Sequence, residues 1–220
     1  MKYDDVMKLA LERGFYFPSC EIYSDAQAGF WEYGPAGVSL KNKFLELWRR
    51  ELLRRDKMIE IDGSQIMSSS VFEASGHLTS FADPIVRCTK CKSTHRADRI
   101  ISELAKIEIP ESADLEEFDK VITEKNIKCP KCNSNFENTK KFNMMFQVGI
   151  GPEGEPAYLR PETCQSIFVD FPRLFKTMRG KLPLGIAQTG KSFRNEIAPR
   201  QSLLRLREFY QAEIEVFCNP

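Results

Sequence analysis

The sequence predicts an α+β fold in which a mainly antiparallel sheet is flanked by helices and carries a small zinc-binding insertion. Three observations support this prediction. Two extended segments joined by a polar loop lie between Leu184 and Phe217. Apolar residues at helical spacing begin at Val38, and two CxxC pairs lie in the middle of the chain. Sheet and helix signals of this kind, with a separate cysteine module between them, are typical of an α+β protein with an inserted element.

Composition limits the classes of protein to consider. The chain has 220 residues and is 42% hydrophobic, which is enough for one core and one small additional module. The net charge of +1 provides no general field for nucleic acid, so any RNA contact must come from local patches. The start of the chain carries acids and no long apolar run, so we expect neither a signal peptide nor a membrane span. Four of the seven cysteines form CxxC pairs, which favours reduced thiols and a cytoplasmic protein.

We expect three consecutive parts: residues 1–87 as the first part of the core, 88–141 as the cysteine-bearing insertion, and 142–220 as the second part of the core. In the first part, Asp4 or Asp5 can cap a helix that Gly14 ends. Leu40, Phe44 and neighbouring apolar residues recur at helical spacing, which predicts an amphipathic helix packed against the core. A short strand is expected at 58–61.

The insertion contains a candidate metal site. A CxxC turn directs two sulfur atoms at one ion, and two such turns complete a tetrahedral thiolate site that suits zinc. The four candidate ligands are Cys88, Cys91, Cys129 and Cys132. Four thiolates leave no open coordination position, so the role of the metal would be structural. Free thiols without metal are the alternative. The wide separation of the pairs predicts one or two short helices between them, and the other cysteines, Cys20, Cys164 and Cys218, are expected to be small buried side chains.

After the insertion, the sequence Arg160-Pro161-Glu162-Thr163 precedes another helical pattern. Pro161 fits the first turn of a helix, and Glu162 would then lie near its positive end. Ile167, Phe168 and Phe171 would form the face of this helix that packs on the core. From the residues alone, Glu162 is interpreted as a carboxylate that stabilises the start of a helix.

Alternation along the final strand divides its side chains between two faces. One face is largely apolar and is expected to pack on the core: Glu208, Tyr210, Ala212, Ile214 and Val216. The other face is polar: Arg207, Phe209, Gln211, Glu213 and Glu215. A solvated strand surface is one interpretation of this polar face. A nucleotide pocket is the other, because a guanidinium binds phosphate, an aromatic ring stacks on a base and a carboxylate accepts from an exocyclic amine.

At these residues the sequence resembles a known family. Phe193-Arg194-Asn195-Glu196, followed after a loop by Arg207-Glu208-Phe209, resembles motif 2 of class II aminoacyl-tRNA synthetases. The fuller segments FRNEIAPR and REFYQAEIEVF are similar to glycyl-tRNA synthetases of the archaeal and eukaryotic kind. GFWEYGPAGVSLKNKF resembles motif 1, the segment at the dimer interface of that family. The RPET segment resembles one that supplies a glycine-binding glutamate, although Cys164 and Ser166 stand where Ala and Gly are commoner.

The resemblance implies a glycine–tRNA ligase activity: ATP-dependent activation of glycine to glycyl-adenylate, followed by transfer to tRNA(Gly). It implies ATP with Mg²⁺ as substrate, structural zinc, and a homodimer formed through motif 1. Arg194 would be the catalytic residue, binding the α-phosphate and the substrate carboxylate. Glu196 would accept from the adenine amino group, Phe209 would stack on adenine, and Arg205 would reach the γ-phosphate.

The full sets that the resemblance implies are larger. The ATP-binding residues are Arg194, Asn195, Glu196, Leu204, Arg205, Leu206, Arg207 and Phe209. The glycine-binding residues are Arg96, Glu162, Phe209, Gln211 and Glu213. For Arg96, a solvated arginine beside the cysteine module is the alternative interpretation. Glu162 and Glu213 would also crowd the α-carbon of the substrate, so that any amino acid larger than glycine meets a clash.

Nothing in the sequence matches motif 3 of the family. We therefore expect the chain to correspond to the N-terminal catalytic part of such an enzyme, without motif 3 and the anticodon-binding domain, and catalysis by this chain alone is in question. Two other classes of function are alternatives. One is a synthetase-like binding protein without ligase chemistry, of the polymerase-accessory-subunit type. The other is a zinc-dependent nucleic-acid-binding module, which the dispersed basic residues disfavour.

Overall fold

A computed structural model describes residues 2–110, 112–199 and 202–219. Arg200 and Gln201, which belong to the loop of the motif 2 segment, lie outside the described residues. The helices are α1 (Tyr3–Glu12), α2 (Pro35–Trp48), α3 (Ser69–Ala74), α4 (His77–Ser80), α5 (Ala97–Ala105), α6 (Leu115–Glu124) and α7 (Cys164–Thr177). A π-helical segment, Arg49–Arg54, continues α2, and a 3-10 turn spans Ser202–Leu204. None of the helices in the described part of the chain is long and apolar enough to cross a membrane.

The strands form four small sheets. They are β1 (Tyr16–Pro18), β2 (Trp31–Tyr33), β3 (Ile59–Ile61), β4 (Ile66–Ser68), β5 (Ala82–Arg87), β6 (Thr94–Arg96), β7 (Lys140–Asn143), β8 (Phe146–Ile150), β9 (Glu155–Leu159), β10 (Leu184–Phe193) and β11 (Glu208–Phe217). Their orders are β1-β2, β11-β10-β3, β4-β9-β8 and β6-β5-β7. All described pairings are antiparallel except that of β10 with β3. The predicted α+β class with a mainly antiparallel sheet is confirmed.

The chain divides into two compact units. One comprises Met1–Val71 and Phe146–Pro220, and the other comprises Phe72–Met145. The predicted insertion, residues 88–141, falls within the second unit. Its assignment as a zinc-binding part between two catalytic parts stays a prediction.

In the first unit, the strand pair β10–β11 provides the main scaffold. Ten residue pairs run from Leu184 with Phe217 to Phe193 with Glu208. The backbone of Arg160, just after β9, joins this sheet to the sheet of β4, β9 and β8. Its N–H donates to the carbonyl of Gln65, and its carbonyl accepts from the N–H of Phe193, both at 2.9 Å. The long antiparallel pair that alternation predicted is therefore present, and it is connected to the segment that follows β9.

The second unit has its own apolar core. The buried members are Val86, Ala97, Ile100, Ile101, Ile109, Phe118 and Ile127. They come from β5, from helices α5 and α6, and from the segments after these helices. Helices α5 and α6 therefore pack against the sheet of β6, β5 and β7. The short helices that the sequence predicted between the two CxxC pairs are confirmed as α5 and α6.

Two predicted surfaces differ from the structure. Phe44 of α2 is 60% exposed, and Phe168 of α7 is 53% exposed, although both were expected to pack on the core. Helix α7 also begins at Cys164, so Pro161 and Glu162 precede the helix instead of forming its first turn. Periodicity identifies residues that share a face, but it does not say whether another element of the same chain covers that face.

Candidate functional site

The polar face of β11 is more enclosed than its apolar face. Phe209, Gln211, Glu213 and Glu215 share one face and are all partly buried. On the other face, Tyr210 is 39% and Val216 is 55% exposed. The expectation that the apolar face of this strand packs on the core is therefore wrong. The polar face is enclosed instead because the residues between β9 and α7 lie against it.

Two acids on this side of the strand pair are held by neighbouring residues. Oε2 of Glu213 accepts hydrogen bonds from the backbone N–H of Thr163 at 3.1 Å and from its hydroxyl at 2.6 Å. Oε1 of Glu162 accepts from Nε2 of Gln165 at 2.7 Å and from the thiol of Cys164 at 3.2 Å. Thr163 is fully buried, and Gln165 is nearly so. The structure thus brings the two predicted glycine-binding glutamates to one segment.

The electrostatic environment of these acids is negative. Burial raises the pKa of Glu215, and the nearby charges of Glu213 and Glu162 raise it further. The pKa of the Cys164 thiol is also raised, first by burial and then by its hydrogen bond to Glu162. Three neighbouring carboxylates suit a ligand that brings a positive charge, such as an ammonium group.

A buried arginine lies behind the acids. Arg160 is 1% exposed, and its guanidinium donates to the carbonyls of Lys191 and Gly63, each at 2.9 Å. Burial lowers the pKa of Arg160, whereas Asp62 and Glu213 oppose that shift. A Cβ atom at Gly190 would lie 2.3 Å from Nη2 of this guanidinium, so position 190 needs glycine. The arginine links two backbone segments, β10 at Lys191 and the segment at Gly63, and offsets part of the acidic charge.

Arg194, the predicted catalytic residue, lies over Phe209. Its guanidinium carbon is 5.4 Å from the centre of the Phe209 ring, which is within the range of a cation–π contact. Its Nε donates to the carbonyl of Pro161 at 3.1 Å. The backbone N–H of Arg194 donates to the carbonyl of Arg207 at 2.9 Å, which extends the pairing of β10 and β11 by one step. The predicted phosphate-binding cation and the predicted adenine-stacking ring are therefore adjacent.

The other predicted nucleotide residues are engaged with one another. Arg205 forms an ion pair with Glu196. Arg207 donates from Nε to the carbonyl of Glu196 at 3.0 Å and from Nη1 to the carbonyl of Ala28 at 2.9 Å. Its backbone N–H also donates to the carbonyl of Gly29 at 2.8 Å. Arg207 thus holds the loop before β2 against the motif 2 segment.

Three further residues of the predicted ATP set differ in their exposure. Leu204 is 70% exposed, Leu206 is buried and Asn195 is half-buried. The structure therefore presents Leu204 to solvent and uses Leu206 for packing. The predicted roles of these residues in ATP binding stay predictions.

In the second unit, the four predicted metal ligands come together. The sulfur atoms of Cys88, Cys91, Cys129 and Cys132 all lie within 4.8 Å of one another. Zinc–sulfur bonds of about 2.3 Å require sulfur atoms about 3.8 Å apart in a tetrahedron, so the cluster fits a zinc ion. Each CxxC turn is followed by a residue with positive φ, Lys92 at 57° and Asn133 at 59°. The two turns therefore have matching backbone geometry.

The thiols of this cluster differ in acidity. Burial raises the pKa of Cys88 to about 11. The pKa of Cys91 is lowered by hydrogen bonds from Ser93, and that of Cys132 is lowered by a hydrogen bond from Ser134. Neighbouring hydroxyl groups that lower a thiol pKa favour the thiolate form, which is the form that binds metal.

Arg96 lies in the second unit, on β6, and is largely buried. It forms ion pairs with Asp83 at 3.0 Å and with Asp98 at 2.8 Å. The alternative of a solvated arginine is therefore wrong. Its predicted contact with glycine stays a prediction.

Sequence reasoning missed three supporting residues and misjudged two cysteines. Arg160, Thr163 and Gln165 are buried polar residues that hold the site together. Their only signal in the sequence was their position beside Glu162. Cys20 and Cys218 are exposed, so the expectation that they are buried is wrong. Cys164 is partly buried, as its contact with Glu162 requires.

Comparisons with solved structures identify the class of fold. The RNA binding domain of threonyl-tRNA synthetase from Cryptosporidium parvum Iowa II superposes with a TM-score of 0.56 and 20% identity, over 96% of this chain and 36% of that chain. Prolyl-tRNA synthetase from Cryptosporidium parvum, complexed with halofuginone and AMPPNP, gives a TM-score of 0.55 and 11% identity, over 97% of this chain and 29% of that chain. The family described as tRNA synthetase class II core domain (G, H, P, S and T) matches residues 141–220. The chain therefore shares the fold of these synthetase structures, and residues 141–220 match the class II core domain.

The relatives that are similar in sequence are glycine–tRNA ligases. Glycine–tRNA ligase of Methanothrix thermoacetophila is 45% identical over 220 residues, which is 100% of this chain and 38% of the relative. Glycine–tRNA ligase of Pyrococcus abyssi is 48% identical over 220 residues, with the same coverage of each chain. The whole of this chain is therefore homologous to part of these glycine–tRNA ligases. It spans 38% of the length of these curated relatives.

Proposed function

We propose that this chain carries the glycine-activating site of a glycine–tRNA ligase, which joins glycine to ATP as glycyl-adenylate and then transfers glycine to tRNA(Gly). One observation carries the proposal. A single side of the β10–β11 pair presents Arg194 over Phe209, and further along β11 it presents Glu213, held beside Glu162 by Thr163. A phosphate-binding cation, an aromatic ring and two acids on one side of the strand pair match the three parts of an aminoacyl-adenylate.

The spacing along β11 supports this assignment. Phe209 and Glu213 are four residues apart on the same face, which corresponds to about 13 Å in an extended strand. An adenylate lying along the strand would stack its base near Phe209 and direct its ammonium group to Glu213 and Glu162. Arg194, whose side chain lies over Phe209 and donates to the carbonyl of Pro161, would contact the α-phosphate and the glycine carboxylate. Attack of that carboxylate on the α-phosphorus needs alignment of the reactants and stabilisation of the phosphate oxygens, and it needs no protein nucleophile.

Several partners follow from this proposal. Mg²⁺ would accompany ATP as part of the substrate and neutralise charge on the phosphates. Zinc would occupy the four-cysteine cluster and stabilise the second unit. The exposed apolar face of α2 supports a homodimer formed through the motif 1 segment. We also expect the protein to act in the cytoplasm, because reduced cysteines suit that compartment.

The proposal is tested by glycine-dependent exchange of pyrophosphate into ATP, measured on this chain. Alanine and serine serve as substrate controls, and Arg194→Ala serves as the blank. Exchange that requires glycine and is lost in Arg194→Ala supports the proposed function. ATP binding by calorimetry without glycine-dependent exchange, and without binding of glycyl-sulfamoyl-adenosine, would favour a synthetase-like binding protein instead.

A further inference from the structure

Thr163 makes an unusual use of its hydroxyl group. It is the residue that precedes α7, yet its side chain makes no hydrogen bond to the first turn of that helix. Instead the hydroxyl donates at 2.6 Å to Oε2 of Glu213, 50 positions further along the chain, and the Thr163 backbone N–H donates to the same oxygen at 3.1 Å. A hydroxyl–carboxylate contact of this length is a charge-assisted hydrogen bond.

Both donors reach one oxygen of the Glu213 carboxylate. The geometry therefore restrains Oε2 and leaves the second oxygen, Oε1, available to accept from a ligand. Thr163 itself is fully buried, so it neither contacts solvent nor has room to change rotamer freely. On the adjoining residues, Cys164 and Gln165 hold Oε1 of Glu162 in the same way.

From this geometry we propose that Thr163 is a positioning residue for amino-acid recognition: it holds Glu213 where the carboxylate accepts the glycine ammonium and blocks a side chain on the α-carbon. The inference rests on the proposed function, because it assigns Glu213 to the glycine end of the adenylate. Thr163 itself would not touch the substrate. It would act only through the carboxylate that it orients.

The physical reason is that glycine and alanine differ by one methyl group. Attraction cannot separate them in favour of the smaller substrate, so exclusion of alanine depends on a group that does not move aside. A glutamate side chain has three rotatable bonds and would swing away from a methyl group unless it were held. Two hydrogen bonds from a buried residue supply that restraint, and loss of the hydroxyl removes the shorter one.

The test compares Thr163→Val, which keeps the shape and removes the hydroxyl, with Thr163→Ser, which keeps the hydroxyl. Thr177→Val is the matched control, since the Thr177 hydroxyl donates to the carbonyls of Arg173 and Leu174 at the other end of α7. Calorimetry on this chain would give the Kd of glycyl-sulfamoyl-adenosine, of alanyl-sulfamoyl-adenosine and of ATP. If Thr163→Val does not fold, as judged by circular dichroism, Thr163→Ala replaces it.

We expect Thr163→Val to raise the Kd of glycyl-sulfamoyl-adenosine about tenfold. This Kd should then lie closer to the Kd of alanyl-sulfamoyl-adenosine, and the Kd of ATP should stay unchanged. Thr163→Ser and Thr177→Val should retain the wild-type preference for the glycyl compound. An unchanged ratio of the two Kd values in Thr163→Val would overturn the positioning role and leave the proposed function intact. A wild-type chain that binds neither sulfamoyl compound would overturn the proposed function and this inference with it.

Discussion

Arg205 and Glu196 form an ion pair in which Nη2 of Arg205 lies 2.6 Å from Oε2 of Glu196. The resemblance assigns one of them to the γ-phosphate of ATP and the other to the adenine amino group. Oε2 of Glu196 also accepts from Nε of Arg205 at 2.8 Å, so the pair engages two nitrogens of the guanidinium and one oxygen of the carboxylate. Under the proposed function, Arg205 would exchange this internal contact for one with the γ-phosphate, and Glu196 would then have both oxygens available for the adenine amino group.

Arg205→Ala should consequently change the affinity for ATP and the affinity for AMP differently. We expect the Kd of ATP to rise about tenfold, because a charged contact to phosphate is lost. The Kd of AMP should stay the same or fall, since Glu196 no longer has Arg205 as a competing partner. Calorimetry with both nucleotides measures the difference, and Arg50→Ala, at an exposed position on the same unit, is the control. Equal weakening of ATP and AMP would show that Arg205 serves only to support the loop.

Arg160→Met should strongly destabilise the first unit. The substitution leaves the carbonyl groups of Gly63 and Lys191 without the donors they have now. Each buried carbonyl left without a donor typically costs about 1–3 kcal/mol of unfolding free energy. Arg54→Met is the matched control, because Arg54 forms an exposed ion pair with Glu46 and should change stability by about 0.5 kcal/mol. Urea unfolding that gives equal values for both variants would contradict the structural role of Arg160.

Glu215→Gln should stabilise the chain in a pH-dependent way. The folded chain raises the pKa of Glu215 above its ordinary value of 4.5, so it binds this proton more tightly than the unfolded chain does. The stability linked to this proton is complete below pH 4.5 and is lost as the pH rises through the folded pKa. Glutamine stays neutral, so the variant should have the higher Tm at pH 7 and lose that advantage in acid. A difference in Tm that is constant from pH 4 to pH 8 would argue against this explanation.

Removal of the metal should affect the second unit selectively. We expect one zinc ion per chain by elemental analysis, and loss of that ion in Cys129→Ser. Hydrogen exchange should then accelerate in α5 and α6, because their core lies next to the cysteine turns. Cys218→Ser, at an exposed cysteine outside the cluster, should retain the zinc and the protection. A wild-type chain that is folded and metal-free after preparation with added zinc would contradict the zinc assignment.

Phe44→Glu should convert the proposed dimer to a monomer. A groove of about 720 Å³ lies between α1, α2 and β11, and its lining includes Phe44, Leu40 and Tyr210. An exposed apolar surface of this kind favours association, and a charge at its centre opposes burial. Sedimentation equilibrium should show a dimer for wild type and a monomer for the variant. Leu104→Glu, at an exposed position in the second unit, should leave the dimer unchanged. A wild-type monomer at all concentrations would contradict dimer formation by this chain.

The sequence allowed the pairing of β10 and β11, the two short helices and the cysteine cluster to be predicted, because each depends on local patterns. Alternation and turn residues determine which positions face the same way in a strand pair. The enclosed side of β11 was predicted wrongly because the prediction also used local alternation alone. Alternation groups Tyr210 with Val216, but only tertiary packing determines which group is covered.

The buried residues that lie behind Glu162 and Glu213 could not be predicted from the sequence, for a different reason. A charged residue such as Arg160 is rarely buried, so its ordinary interpretation is an exposed side chain. Its burial depends on carbonyl groups of Gly63 and Lys191, which are distant in sequence. The contact of Thr163 with Glu213 likewise spans 50 positions and has no periodic signature. The resemblance identified Glu162 and Glu213 but gave no indication of what orients them.

The arrangement of sulfur atoms in the second unit has a practical consequence. Two close approaches run across the two turns, from Cys88 to Cys132 at 3.4 Å and from Cys91 to Cys129 at 3.6 Å. Air oxidation of a metal-free preparation would therefore cross-link the two turns to each other within one chain. The oxidised protein would migrate as a monomer on a non-reducing gel, but it would not bind zinc. Purification with a thiol reductant, before any chelator is applied, would keep the preparation competent for reloading.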